Sequence, residues 1–193
     1  PPAGSSPLPV EQVGGGAGRY IAERLSNMVL PSALGRARIR DEGPRRLYTG
    51  PASRSPGLYK ALLGLLMERN LLDFYTDSAC SVGVFFVRKK NNRLRLILDG
   101  RHASLHFSAP DKVNLATGAT FAGLHVDSGK PIAVGEVDIA DAFYTMLLPP
   151  ALRKYFVLPA CRAGSLDLRL AADGRPLQPM DRVCPCFRRP PMG

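Results

Sequence analysis

Two aspartates stand three residues apart in an otherwise apolar run, EVDIADAFYTMLLPP, residues 136–150. Val137, Ile139 and Ala140 flank Asp138, and Ala142, Phe143 and Tyr144 follow Asp141. An ionised carboxylate loses far more hydration on burial than apolar neighbours return, so such a pair calls for a partner. Magnesium is one candidate, because it takes oxygen ligands: one or two carboxylates, with water and substrate phosphates completing the shell. In two-metal phosphoryl transfer the ions activate the attacking oxygen and stabilise the leaving one. The plainer alternative has Asp141 capping the next helix while Asp138 pairs with an arginine. A D-x-x-D spacing occurs too often by chance to separate the two.

A second constellation is basic. In VGVFFVRKKNNRLRLILD, two β-rich runs flank Asn91-Asn92, and Asn tolerates the positive φ that a two-residue hairpin turn demands. A two-residue turn pairs Lys90 with Arg93 and Arg88 with Arg95, all on one face. Lys89, Val87, Phe85, Leu94, Leu96 and Leu98 then fall on the other. Opposed like charges destabilise a sheet, so four clustered cations make sense against a polyanion. The alternative is a solvated hairpin tip whose long side chains splay apart.

The elements that must position these residues are legible in outline. The chain has 193 residues, a formal net charge of +10 and 45% hydrophobic residues, enough for a packed core. The excess of cations favours an anionic partner such as nucleic acid or nucleotide phosphates. No apolar run approaches the roughly 20 residues that span a bilayer, so no membrane partner is expected. Cys80, Cys161, Cys184 and Cys186 lack the spacing of a zinc site. Residues 1–54 are predicted to be a disordered or weakly structured basic arm. Within it, 1–19 are rich in Pro, Gly and Ser, Tyr20 to Leu30 form a short helix, and 36–54 form an arginine-rich linker.

Folded structure is predicted from residue 55. Ser55 suits an N-cap, Pro56 the first helical turn and Asn70 the helix end. Leu58, Leu62, Leu65, Leu66 and Arg69 repeat at helical spacing and read as a core stripe. After Asp111 a helix is expected, weakened by Gly118 and Gly123. KPIAVGEVDIA reads as a strand delivering Asp138 at its end, PPALRKY as a helix opened by Pro150, FVLPA as a strand, and LDLRLAADGRPLQP as a hairpin around Asp173-Gly174.

Taken in order, the helix LYKALLGLLMERNLLDF, the basic hairpin and the segment VDIADAFYTMLLPPALRKYFVLP resemble the fingers and early palm of reverse transcriptases, particularly those of retrotransposons. The family's V-x-K-K…R-x-x-x-D-x-R element is similar to Val87, Lys89, Lys90, Arg95, Asp99 and Arg101. Its Asp-x4-aromatic motif matches Asp138 and Phe143, and its P-Q-G element resembles Pro191, Met192 and Gly193. The resemblance covers about residues 56–193 and rests on three ordered motifs, more specific together than any one alone.

The resemblance implies an α+β fold, a partial right-hand polymerase of fingers and first palm segment over residues 55–193. It implies RNA-directed DNA polymerase activity, with Mg2+ or Mn2+ as cofactor and deoxynucleoside triphosphates and a primed RNA or DNA template as partners. Asp138 would bind the metals, joined by the carbonyl of Ile139. Asp141 and Ala142 would hold the triphosphate, Arg95 the α-phosphate side and Lys90 the γ side, with Lys89 as the other candidate. Phe143 would lie under the sugar and exclude a 2′-hydroxyl, and Met192 stands where the family commonly has Gln near the nucleotide. Arg88, Lys89, Arg93 and Arg101 would meet nucleic acid. After Asp141 the acidic residues are Asp167, Asp173 and Asp181, with no Asp-Asp pair, so the 193 residues are expected to be a fragment inactive alone. The competing expectations are a basic nucleic-acid-binding module and a decayed element without catalysis.

Overall fold

The computed structural model describes residues 6–12, 16–90, 92–110, 117–123, 135 and 142–190. The chain divides into two compact units, residues 1–108 with 141–193, and residues 109–140. The architecture is mixed α+β with small sheets.

In chain order the elements are β1 (Leu8–Pro9), α1 (Gly16–Met28), α2 (Ser32–Glu42), α3 (Pro56–Glu68), β2 (Leu72–Tyr75), β3 (Gly83–Arg88), β4 (Leu94–Asp99) and α4 (Arg101–Ser104). They continue with α5 (Gly118–Ala122) in the second unit, then α6 (Ala142–Thr145), β5 (Met146–Leu147), α7 (Pro150–Arg153), β6 (Cys161–Arg162) and β7 (Arg182–Phe187). The arginine-rich stretch read as linker is therefore helical as far as Glu42, and Leu8–Pro9 pair in parallel with Met146–Leu147. α5 opens on a reciprocal cap, Thr117 N–H donating to Thr120 Oγ1 and Thr120 N–H to Thr117 Oγ1. The predicted strand over 130–140, with Asp138 and Ile139, lies outside the described residues apart from Gly135, as do Asp141 and Met192.

α3 begins and ends as its sequence predicts. Ser55 has the extended backbone of an N-cap, and Pro56 opens the first turn. At the far end Asn70 is left-handed (φ 54), its N–H donates to Met67 O, and Leu71 N–H reaches back to Leu66 O. That is a Schellman closure, with Leu66 and Leu71 as its apolar contact. The buried face differs from the predicted stripe. Tyr59, Leu62, Leu63 and Leu66 are buried, whereas Leu58 and Leu65 are 58% and 59% exposed. The i, i+3, i+4, i+7 set centred on Leu63 meets β2, β7 and Leu158, and its neighbours 100° away do not.

β2, β7 and β6 form a three-stranded antiparallel sheet with β7 central and buried from Val183 to Phe187. Pro185 sits in that central strand without breaking the ladder. Arg188 N–H donates to Leu71 O, which makes Phe74 and Pro185 a non-hydrogen-bonded pair. The missing Pro N–H therefore points to the other side, where Val157 and Leu158 meet β7 through an isolated bridge and the Leu158 N–H···O Pro185 bond. For the same reason the predicted strand FVLPA is bridge-paired and irregular. The turn at Asp173-Gly174 is present, with Ala171 N–H donating to Arg175 O and Leu170 paired with Pro176.

The β3–β4 ribbon corrects the predicted register. Val87 lies opposite Arg95 and Arg88 opposite Leu94. Three residues, not two, close the loop: Lys89 N–H donates to Arg93 O, Asn92 N–H donates to Lys89 O, and Asn92 is left-handed at φ 60. This is a three-residue loop ended by a residue in the left-handed region. Shifting one strand by one residue swaps its faces. Lys89, Val87, Phe85, Arg93, Arg95 and Ile97 thus share one face, while Arg88 turns to the other with Phe86, Leu94 and Leu96.

Candidate functional site

The ribbon has a rigid base and a solvent-exposed tip. At the base Asp99 is buried and accepts Tyr48 N–H at 2.7 Å. Arg101 clasps the same carboxylate through one guanidinium edge, Nε donating to Oδ1 at 2.8 Å and Nη2 to Oδ2 at 2.6 Å. The Arg101 hydrogen bonds hold the Asp99 carboxyl at a pKa of about 2, against the opposing effect of its burial. Tyr48 adds an edge-on contact to Phe85, ring centroids 4.7 Å apart, and Gly50 N–H donates to Val84 O at 2.8 Å. Arg101, predicted to meet nucleic acid, thus also anchors the ribbon, and its side chain remains exposed enough to meet an anion.

Beyond Phe86 the ribbon leaves the core. Arg88, Lys89, Lys90, Arg93 and Arg95 are all exposed. Lys89 and Arg95 line the rim of one cleft of about 430 Å³ whose other ribbon walls are Phe86, Leu94 and Leu96 of the opposite face, with Leu62, Leu66 and Arg69 from the α3 region and Tyr144 from α6. That volume falls within the range of small-ligand clefts, roughly 300–1,000 Å³. The cation sharing the Arg95 face is Lys89. Lys90 is in the loop and does not line the cleft, which corrects the pairing that favoured it.

α6 brings Ala142 and Phe143 into the described part of the site. Thr145 Oγ1 donates to Ala142 O at 2.7 Å and closes the turn. Phe143 is 44% exposed, and Tyr144, not Phe143, lines the cleft. Arg189, only 1% exposed, donates from Nη1 to Tyr144 O at 2.6 Å, so the segment after β7 holds the α6 turn. Burial, with Arg188 and Arg153 nearby, lowers the Arg189 pKa below the ordinary arginine value. Next to it Asp73 meets Arg153 and Arg188, and Arg153 Nε also donates to Leu148 O at 2.7 Å.

Asp138, Ile139, Asp141 and Met192 lie outside the described residues. Among the described residues no group of three His, Cys, Asp or Glu stands close enough to hold a metal ion. Carboxylate and carbonyl oxygens, the donors that Asp138 and Ile139 carry, are of the type magnesium takes. Sequence reasoning missed Arg69, Tyr144 and Arg189. Arg69 sits in what reads as a core stripe. Tyr144 immediately follows the singled-out Phe143, and Arg189 lies in the C-terminal CFRRPPMG with nothing to mark it as buried.

No protein-family model, curated protein or solved structure matches the chain. No described helix is long and apolar enough to cross a membrane.

Proposed function

We propose that this chain forms the fingers and first palm segment of an RNA-directed DNA polymerase of the reverse-transcriptase type. The intact reaction adds a deoxynucleotide to a primer 3′-hydroxyl on an RNA or DNA template, with pyrophosphate leaving. One observation carries the reading beyond the motifs: Lys89 and Arg95 line one cleft together with Phe86, Leu94 and Leu96 of the ribbon and with Tyr144, the residue that follows Ala142 and Phe143. In this reading Arg95 and Lys89 brace the triphosphate, and Phe143 meets the sugar. Asp138, with the Ile139 carbonyl, would hold Mg2+ or Mn2+, and Asp141 would support the triphosphate. When bound, the metal supplies charge stabilisation to the phosphates. The protein's own part is positioning and fixed positive charge.

Titration of the chain with a deoxynucleoside triphosphate and Mg2+, followed calorimetrically, tests the site. Lys89→Glu and Arg95→Glu should each weaken binding about tenfold or more, as expected when one charge-assisted hydrogen bond is removed. Lys90→Glu should change it much less. Equal effects of all three would reduce the cleft to diffuse attraction. The 193 residues should not extend a primer, because a two-metal centre needs carboxylates beyond Asp138. Joined to a segment bearing an aromatic-x-Asp-Asp turn, the chain should extend one, and Asp138→Asn should abolish this. Phe143→Ala should then admit ribonucleotides.

The net charge of +10 favours a second reading, a nucleic-acid-binding module without catalysis. Such a module binds single strands but shows no preference of the Lys89–Arg95 cleft for a triphosphate over equal ionic strength of sulfate.

A further inference from the structure

His106 is buried, 1% exposed, and neither ring nitrogen has a hydrogen-bond partner among the described residues. α2 lies directly on it: a Cβ built on Gly35 would stand 2.1 Å from His106 Nδ1, so only glycine lets the helix backbone approach the ring. The N-terminal segment is otherwise tied to this turn by a short set of bonds. Leu30 N–H donates to His106 O, Ser108 N–H to Met28 O, and Arg38 Nη1 to Phe107 O, while His102 Nε2 meets Pro44 O.

We propose that His106 is an acid-operated latch, whose protonation releases α2 and the arginine-rich stretch around it from the body of the protein. A protonated imidazole carries an N–H on both nitrogens, and neither finds an acceptor while Gly35 covers the ring. The charged and titratable groups around it do not compensate. α2 presents Arg36 and Arg38, the latter already paired with Glu42. α4 presents His102, and beyond α7 the Tyr155 ring lies 5.2 Å away, centroid to centroid. Burial, Arg36 and His102 all lower the His106 pKa. The imidazolium gains hydration only if α2 lifts, which also frees Arg38 from the Phe107 carbonyl.

The sign follows from the lowered pKa. The docked state is fully favoured above the undocked histidine value near 6.5. It loses ground as pH falls from there toward the lower docked value, by about tenfold in the docking equilibrium per pH unit.

Amide hydrogen exchange of the 193-residue chain, corrected for intrinsic rate, tests this between pH 7.5 and 5.5. Protection of residues 30–42 should fall up to about tenfold per unit below roughly 6.5, while the base of the β3–β4 ribbon stays constant. His106→Asn should remove the pH dependence, and the His102→Asn/His125→Asn double variant should retain it. A flat profile, persistence in His106→Asn, or loss in the double variant overturns the latch. If His106→Asn does not fold, ring-hydrogen exchange of the unaltered protein decides. A His106 midpoint below roughly 6.5, with protection falling between 6.5 and that midpoint, supports the latch, and a midpoint at or above 6.5 overturns it.

Discussion

The β2–β7–β6 sheet and the β3–β4 ribbon are both antiparallel but stand in opposite circumstances. The sheet keeps β7 buried from Val183 to Phe187, and at its β2 edge Asp73 answers Arg153 and Arg188. The ribbon buries only its base, at Val84, Leu98 and Asp99, and carries five cations outward from Arg88 to Arg95. Charge at that edge is therefore structural, because a guanidinium out of water needs its carboxylate. Charge at the ribbon tip is hydrated whether or not it is used, so it is available to a ligand at little cost to the fold.

The largest effect that separates the two regions is expected from Asp73→Ala. It leaves Arg153 and Arg188 without their carboxylate, and chemical denaturation should show a loss of roughly 3–5 kcal/mol. A loss below about 1 kcal/mol would mean that the sheet's charges are as dispensable as the ribbon's.

Asp99→Asn comes next, because it cuts the ribbon's base from Arg101 and Tyr48. A carboxyl held at about 2 instead of 3.8 contributes roughly 2 kcal/mol at neutral pH. That contribution is present above the unfolded pKa and is lost as pH falls from about 3.8 toward 2. The variant's stability curve should be flatter than the parent's across that window.

A smaller change in stability, within about 0.5 kcal/mol, is expected for the Lys89→Glu/Arg95→Glu double variant, since both side chains are exposed. Its effect belongs to binding. The slope of log affinity for duplex nucleic acid against log salt should shrink by about 0.9 for each phosphate that is no longer neutralised. An unchanged slope would return these cations to the role of a solvated face.

A last comparison sets two turns with the same bonding side by side. Ala171 to Arg175 repeats the geometry of Lys89 to Arg93, with Gly174 at φ 82 where the ribbon has Asn92 at φ 60. Asn92→Gly should stabilise by a few tenths of a kcal/mol and Gly174→Ala should destabilise by about 1, both read from melting.

These turns also mark how far the sequence reads. The Asn pair signals a hairpin, but a two-residue and a three-residue loop both use a left-handed Asn, and the choice sets which face every cation occupies. The face shared by Lys89 and Arg95 became visible only once the ladder was in place. α3 shows the same division: its caps lie in local residues, but its buried stripe depended on where β2 and β7 arrived.

By itself the sequence determined the start and close of α3, the existence of the basic ribbon, the α7 turn at Pro150 and the turn at Gly174. Each is settled within a few residues by backbone preference and capping chemistry. The tertiary structure alone decided the ribbon's register, the clasp of Asp99 by Arg101 and Tyr48, and the burial of Arg189. It also decided the approach of Gly35 to His106. Each of these joins groups that meet only when distant segments pack, and neither charge nor hydropathy says which polar side chain will be enclosed until its neighbours are known.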